Sequence, residues 1–206
     1  MHILVVAATE REIPLLATGP YGHHHIEVLV TGVGMVATAA RCAQALARTR
    51  YDVAYNFGVC GAFDRSILPG AVVHIVSDRV SELGAEDGSG FLTLHDLGLI
   101  QDDGVLLNET PPANAALRTL PEVRAITVNT VHGRDESIAA IVDRLSPQVE
   151  SMEGAAFAHA CTISGVCYAQ VRAVSNVVER RNRDAWRLDL AVRNLNDMAL
   201  RILDLP

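Results

Sequence analysis

"SMEGAAFAHACTISGVCYAQVRAVSN", residues 151–176, holds two periodicities in succession. Residues 153–163 carry apolar side chains at helical spacing, and 165–174 form a nearly unbroken apolar run. A helix that hands over directly to a buried strand is half of the unit from which parallel sheets are built. The alternation recurs along the chain. Strands are predicted at 2–7, 26–31, 52–57, 71–77 and 123–128, and helices at 35–48 and 184–203. This pattern predicts an α/β fold, a single domain whose mixed, mostly parallel central sheet is flanked by helices. The stretch 81–112, rich in Gly, Asp and Pro, is the least regular. It reads as a surface excursion with a strand or two.

With 206 residues, half of them hydrophobic, the chain can bury a sizeable core and does not have a disordered composition. No apolar run reaches the roughly 18 residues of a membrane span. "MHILVVAATERE" at the N-terminus has no basic region and no small-residue cleavage site, so it reads as a first strand rather than a signal peptide. A formal charge of −7 argues against nucleic acid or an anionic membrane as partner. All 17 basic residues are Arg. Without Lys, Schiff-base chemistry, pyridoxal phosphate enzymes of the usual kind and a Walker phosphate loop are excluded. Cys42, Cys60, Cys161 and Cys167 form no CxxC pair. A disulfide framework is not expected, and a cytoplasmic location is.

"TGVGMVATA" (31–39) fits GxGxxA through Gly32, Gly34 and Ala37, with Asp52 lying 20 residues beyond Gly32. A dinucleotide site is nevertheless rejected. The motif follows the second strand, and Asp52 opens the next strand, whereas a ribose-binding acid sits at the strand's far end. A glycine turn beside a smaller ligand and a purely structural turn both remain open. In "GHHHIEV", His23, His24 and His25 precede a strand. Adjacent strand residues point to opposite faces, so a solvated turn is favoured and no metal is expected.

"NFGVCGAF" (56–63) reads as a strand running into a turn with Gly58 and Gly61. Backbone groups would then be exposed where open α/β sheets bind ligands, although a tight turn without a ligand fits equally. Cys60 has no local His partner and reads as a small buried thiol. If Ser151 caps the helix that follows it, Glu153 falls in the first turn, where the helix dipole favours a carboxylate. Such a carboxylate can accept two hydrogen bonds from a vicinal diol such as a ribose. "ATEREIPLL" (8–16) places Glu10, Arg11 and Glu12 at the start of a short helix, where a carboxylate can take a proton from water. Taken alone, Glu153 is better explained as a first-turn Glu placed for the dipole, and Glu12 as part of a solvated helix start.

In combination they say more. "AATEREIPLL", "TGVGMVATAA", "NFGVCGAF", "SMEGAAFAHAC" and "VRAVSN" form an ordered set across nearly the whole chain. The set resembles the nucleoside phosphorylase and nucleosidase superfamily, above all the methylthioadenosine and adenosylhomocysteine nucleosidases, which share the Glu-bearing first loop. The resemblance implies a nucleoside phosphorylase-like fold and one nucleosidase domain over residues 1–206. It implies an N-glycosyl hydrolase that needs no cofactor and no metal, acts on a purine nucleoside, and forms a homo-oligomer, at least a dimer. It assigns Glu12 to activating the attacking water. Met152 lies against the sugar face and Glu153 binds its hydroxyls. Val59, Cys60 and Gly61 match the turn lining sugar and base. Arg172 supports the leaving-group residue from the same strand, with Ser175 beside it at the substrate. Trp186 matches an aromatic that closes the pocket, and Glu136 lies near a segment whose backbone contacts the base.

In "VRAVSNVVERRNRDAW" (171–186), the leaving-group position is Asn176. The adenine-specific nucleosidases have an aspartate there, which donates a proton toward the departing purine. An amide cannot act as an acid, but its NH₂ can hydrogen-bond to nitrogen 7 or to a 6-oxo oxygen. A carboxylate would meet a 6-oxo oxygen acceptor to acceptor, at about 1–3 kcal/mol in a desolvated pocket. Asn176 therefore predicts a 6-oxopurine leaving group. The segment resembles that of the futalosine hydrolases, which cleave a hypoxanthine nucleoside on an alternative route to menaquinone. Arg180, Arg181 or Arg183 would then supply a guanidinium fork for the substrate's carboxylate. Three rivals remain: a phosphorylase, disfavoured because no "GDPxR"-type phosphate loop is evident; an adenine nucleosidase, disfavoured by Asn176; and a non-catalytic nucleoside-binding domain.

Overall fold

A computed structural model of the chain describes residues 1–88 and 90–205. In order, β1 (His2–Ala7), β2 (Gly19–Tyr21), β3 (His24–Val30), α1 (Met35–Arg48), β4 (Val53–Ala62) and β5 (Val72–Asp78) make the first half. Then come β6 (Gly84–Asp87), β7 (Gly90–Thr93), β8 (Leu106–Leu107), β9 (Glu122–Thr127), α2 (Asp135–Leu145), β10 (Val149–Ser151), α3 (Gly154–Ser164), β11 (Tyr168–Val177) and α4 (Leu188–Ile202). The α/β expectation holds: one mixed sheet carries helices on both faces.

β1 shows why the strands read as continuous apolar runs. Ile3, Val5 and Ala7 pack with Ala191, Leu195, Ala199 and Ile202 of α4. Leu4 and Val6 face the other way, toward Cys42 of α1 and Phe157, Ala158 and Cys161 of α3. Both faces are covered, so both sets of alternating positions must be apolar. Each large side chain buried this way contributes about 1.5–3 kcal/mol.

The strand order is β10-β9-β5-β11-β4-β1-β3-β2, with β8 paired to β5. β4 is parallel to β1 and to β11, and β9 is parallel to β5 and β10, while β5 runs antiparallel to β11. At its far end β4 also pairs antiparallel with β10, Gly61 opposite Glu150 and Ala62 opposite Val149. β4, β11, β5, β9 and β10 thus close on themselves.

This closure corrects two expectations. The predicted turn in 56–63 is strand: β4 continues to Ala62 because β11 and β10 both offer it partners, so Val59, Cys60 and Gly61 lie within β4. Nor does the last strand stop at Ser175. β11 runs on to Val177, with a bulge between Val174 and Asn176. Elsewhere, Glu10–Glu12 is a single 3₁₀ turn rather than a short helix. The helix expected from 184 begins at Leu188, after another such turn at Arg183–Ala185. α2 and the three-residue β10 were not anticipated. Within 81–112, β6 and β7 form a two-stranded antiparallel ribbon and β8 joins the main sheet. Asp52 serves the fold: its carboxylate accepts the N–H of His2 at 2.7 Å. His25 rests edge-on against His2, and His23 against His24, so the three histidines do not converge.

Candidate active site

Glu12 stands just past the end of β1. Its Oε2 accepts from the Thr9 N–H at 2.9 Å and from Thr9 Oγ1 at 3.2 Å. Oε1 accepts from the Val59 N–H on β4 at 3.2 Å. The Glu12 main-chain carbonyl accepts from Nδ2 of Asn196 on α4 at 2.8 Å. The carboxylate is 9% exposed and fixed from three elements, unlike a solvated helix start.

Beside it lies Gly58. A Cβ there would come within 3.0 Å of Glu12 Oε1 and would overlap the guanidinium of Arg172. Arg172, opposite Gly58 on β11, is 1% exposed. Its Nη2 donates to Asn56 Oδ1, and Asn56 Nδ2 donates to the Val6 carbonyl at 3.0 Å. A buried cation must be held by hydrogen bonds or it destabilises the fold. Arg172 accordingly fills the space over Gly58, beside Glu12.

Glu153 is the residue immediately before α3, at the N-cap, and not in the first turn. Its Oε1 accepts the Gly34 N–H at 2.9 Å, which brings the glycine turn of 31–39 to the same place. Gly32 and Gly34 have φ of 86° and 96°, a left-handed region that favours glycine. The start of α3 is held from below. The Gly154 N–H donates to Ser151 Oγ at 3.4 Å and the Ala155 N–H to Thr127 Oγ1 at 2.7 Å. Thr127 Oγ1 in turn donates to Asp78 Oδ1 at 2.9 Å. Burial pushes the Asp78 carboxyl up to about 6. A Cβ at Gly154 would overlap Asp78 Oδ2 and Gln170 Oε1, so only glycine lets the helix begin here. Met152, half-buried, packs against Ile126, Val128 and Ile141.

At the far end of β4, Ser175 Oγ lies 3.1 Å from the Cys60 carbonyl and 2.8 Å from Asn176 Oδ1, to either of which it can donate. Asn176 Nδ2 donates to the Val177 carbonyl at 3.0 Å, which leaves one amide N–H uncommitted. The cleft here is walled by Gly61, Val131, His132, Glu150, Asn176 and Trp186, among others. The Arg181 guanidinium lies 5.5 Å from the Trp186 ring centroid, a cation–π distance. Arg180, Arg181 and Arg183 are all exposed. Burial pushes the Cys60 thiol up to about 12, as for a small buried thiol and against the thiolate that a nucleophile needs.

Sequence reasoning missed Asn56, Asn196, Asp78 and the pair His132–Glu150. Asn56 and Asn196 stand out only as polar residues inside apolar runs. Glu136 is exposed at the start of α2, and the preceding segment lines the cleft through Val131 and His132 instead.

A family model described as the phosphorylase superfamily matches residues 9–204. The futalosine hydrolase of Acidothermus cellulolyticus is 35% identical over 214 residues, covering 93% of this chain and 86% of that protein. That of Streptomyces coelicolor is 32% identical over 182 residues, covering 83% and 75%. A futalosine hydrolase mutant of Helicobacter pylori shares the fold, with a TM-score of 0.83 at 16% identity over 98% of both chains. The chain therefore belongs to the phosphorylase superfamily, in the family of the futalosine hydrolases.

Proposed function

We propose that this chain hydrolyses the N-glycosidic bond of futalosine, releasing hypoxanthine and dehypoxanthine futalosine on the futalosine route to menaquinone. The observation that carries the reading is Asn176. Its amide is anchored through Nδ2 on the Val177 carbonyl, has Ser175 Oγ within reach of Oδ1, and keeps one N–H to donate, which suits a 6-oxopurine acceptor.

As the bond lengthens, positive charge builds on the ribose and negative charge on the base. The free N–H of Asn176 opposes the charge on the base, and because it is anchored it needs no reorganisation. Glu153 has one oxygen on Gly34 and offers the other to the ribose hydroxyls, while Met152 lies against the sugar. Together they hold the anomeric carbon toward the attacking water. Glu12 takes that water's proton. Val59 fixes Glu12 through its N–H, and Ser175 fixes Asn176. Trp186 closes the base cleft, with the Arg181 guanidinium over its ring. No cofactor takes part.

The chain acts as one nucleosidase domain, in the cytoplasm and as at least a dimer. The dimer is supported by Val33 and Val36, 58% and 82% exposed beside the turn that holds Glu153. A neighbouring subunit would cover that apolar edge. No helix among the described residues is long and apolar enough to cross a membrane.

The test is base release from futalosine, inosine and methylthioadenosine, followed by chromatography with and without phosphate. Rapid phosphate-independent release from futalosine alone is expected. Adenine from methylthioadenosine would overturn the role of Asn176, and a strict need for phosphate would overturn that of Glu12.

A further inference from the structure

Asn176 cannot release a proton, yet a departing purine must gain one. We propose that His132, held by Glu150, supplies it. Glu150 on β10 is 3% exposed and spends both oxygens on one residue. Oε1 accepts the His132 main-chain N–H at 3.0 Å, and Oε2 lies 2.6 Å from His132 Nδ1. A ring nitrogen tied to a carboxylate carries a proton, so Nε2 is the nitrogen left to act on a ligand. Nε2 has no hydrogen-bond partner among the described residues. The ring is set edge-on against Phe63, with centroids 5.8 Å apart. Glu150 reaches Asn176's neighbourhood because β10 pairs with β4 at Gly61: a Cβ there would lie 3.4 Å from Asn176 Nδ2 and 3.7 Å from Glu150 Cγ.

The other titratable groups of the cleft do not qualify. Glu150 is committed to His132. Arg181 does not give up a proton. Glu179 is drawn outward toward Arg65, with an N–O distance of 3.9 Å. Arg134, on His132's own segment, is exposed. Among the described residues that wall the cleft, His132 alone offers a ring nitrogen that can carry a proton to a ligand.

The step balances. The C1′–N9 bond breaks and its electron pair stays with the base. The base takes the proton of His132 Nε2. Water oxygen bonds C1′ and its proton passes to Glu12. Solvent then returns a proton to His132 and takes one from Glu12.

This role rests on the nucleosidase reading above, and the test separates the two. His132→Gln and Glu150→Gln are compared with wild type from pH 5 to 9. One substrate is the purine nucleoside that the wild type cleaves. The other is p-nitrophenyl β-D-ribofuranoside, whose leaving group departs without a proton. His132→Gln is expected to lose on the order of 10²–10⁴-fold in kcat on the purine nucleoside. It is also expected to lose the alkaline fall of the pH profile, while keeping most of its rate on the p-nitrophenyl riboside. Glu150→Gln is expected to move that alkaline fall to lower pH. Equal losses on both substrates, or an unchanged alkaline limb in His132→Gln, would overturn the proposal. If futalosine does not react but another purine nucleoside does, the substrate reading fails, and the His132 comparison on that nucleoside still decides the donor.

Discussion

Replacing Gly58 by Ala adds one methyl group at the most crowded point of the site. The new Cβ overlaps the Arg172 guanidinium and comes within 3.0 Å of Glu12 Oε1. Arg172 cannot swing into solvent, since it is 1% exposed and tied to Asn56. Either it moves within the core or β4 and β11 separate locally. Overpacking of this kind costs about 1–3 kcal/mol. For a chain of this size each kcal/mol lowers Tm by roughly 2–4 °C, so the variant should melt about 2–12 °C below wild type. The catalytic effect should be larger in proportion, because a shift of about 1 Å in a reacting group costs roughly a hundredfold. We therefore expect kcat, measured well below Tm, to fall about a hundredfold with KM changed far less. Gly61→Ala provides the contrast. Its Cβ presses on Val178, Asn176 and Glu150 at the base cleft, so KM should rise there. A Gly58→Ala protein with wild-type Tm and wild-type kcat would refute the placement of Glu12 and Arg172 about this glycine.

Glu12→Gln should lower kcat by on the order of 10²–10⁴-fold with far-UV dichroism retained, as expected for loss of a general base. It should also lower Tm by a few degrees, at about 2–4 °C per kcal/mol, because its NH₂ must face the N–H of Thr9 or of Val59. Asn176→Asp should depress hypoxanthine release by roughly 5–150-fold, the equivalent of about 1–3 kcal/mol, and improve methylthioadenosine relative to futalosine. Asp78 has its carboxyl raised by burial from 3.8 to about 6, so the folded state holds this proton more tightly than the unfolded chain. Its stabilising contribution is full below pH 3.8 and is lost as pH rises through about 6. Asp78→Asn should thus raise Tm at pH 7–8 and flatten its pH dependence between 4 and 6, as seen by calorimetry; a lower Tm at pH 8 would contradict this. Of the four thiols only Cys167 is exposed. Iodoacetamide should label it first, with activity retained, as peptide mass spectrometry would show.

How much of this was legible in the sequence depended on where the information lay. β1, α1 and α3 were readable almost to the residue, because local periodicity decides burial there. β4 was cut short at Phe57, since Gly58 and Gly61 are turn formers by local rules. Their strand conformation comes from β10 and β11, roughly a hundred residues away in the chain, and from the guanidinium that fills the space over Gly58. The same distant pairing carries β11 past Ser175. Glu12, Glu153 and Asn176 were found through a resemblance carried by several motifs, not through any single one. Asn196 and the His132–Glu150 pair were not found, because nothing local marks an Asn in an amphipathic helix as the clamp on residue 12. Glu150, in the middle of a three-residue strand, looks like any surface acid until β10 is seen to close the sheet.

The bond from Asn196 to the Glu12 carbonyl joins the chain's first loop to its last helix, 184 residues apart. On a ribosome, this sets a clock. β1 and its turn emerge before α4, and the Glu12 carbonyl is not clamped until α4 has left the exit tunnel and docked. The loop that carries Glu12 waits without its anchor while the chain to Asn196, 184 residues further on, is made. The ordering of residue 12 therefore waits on the docking of α4.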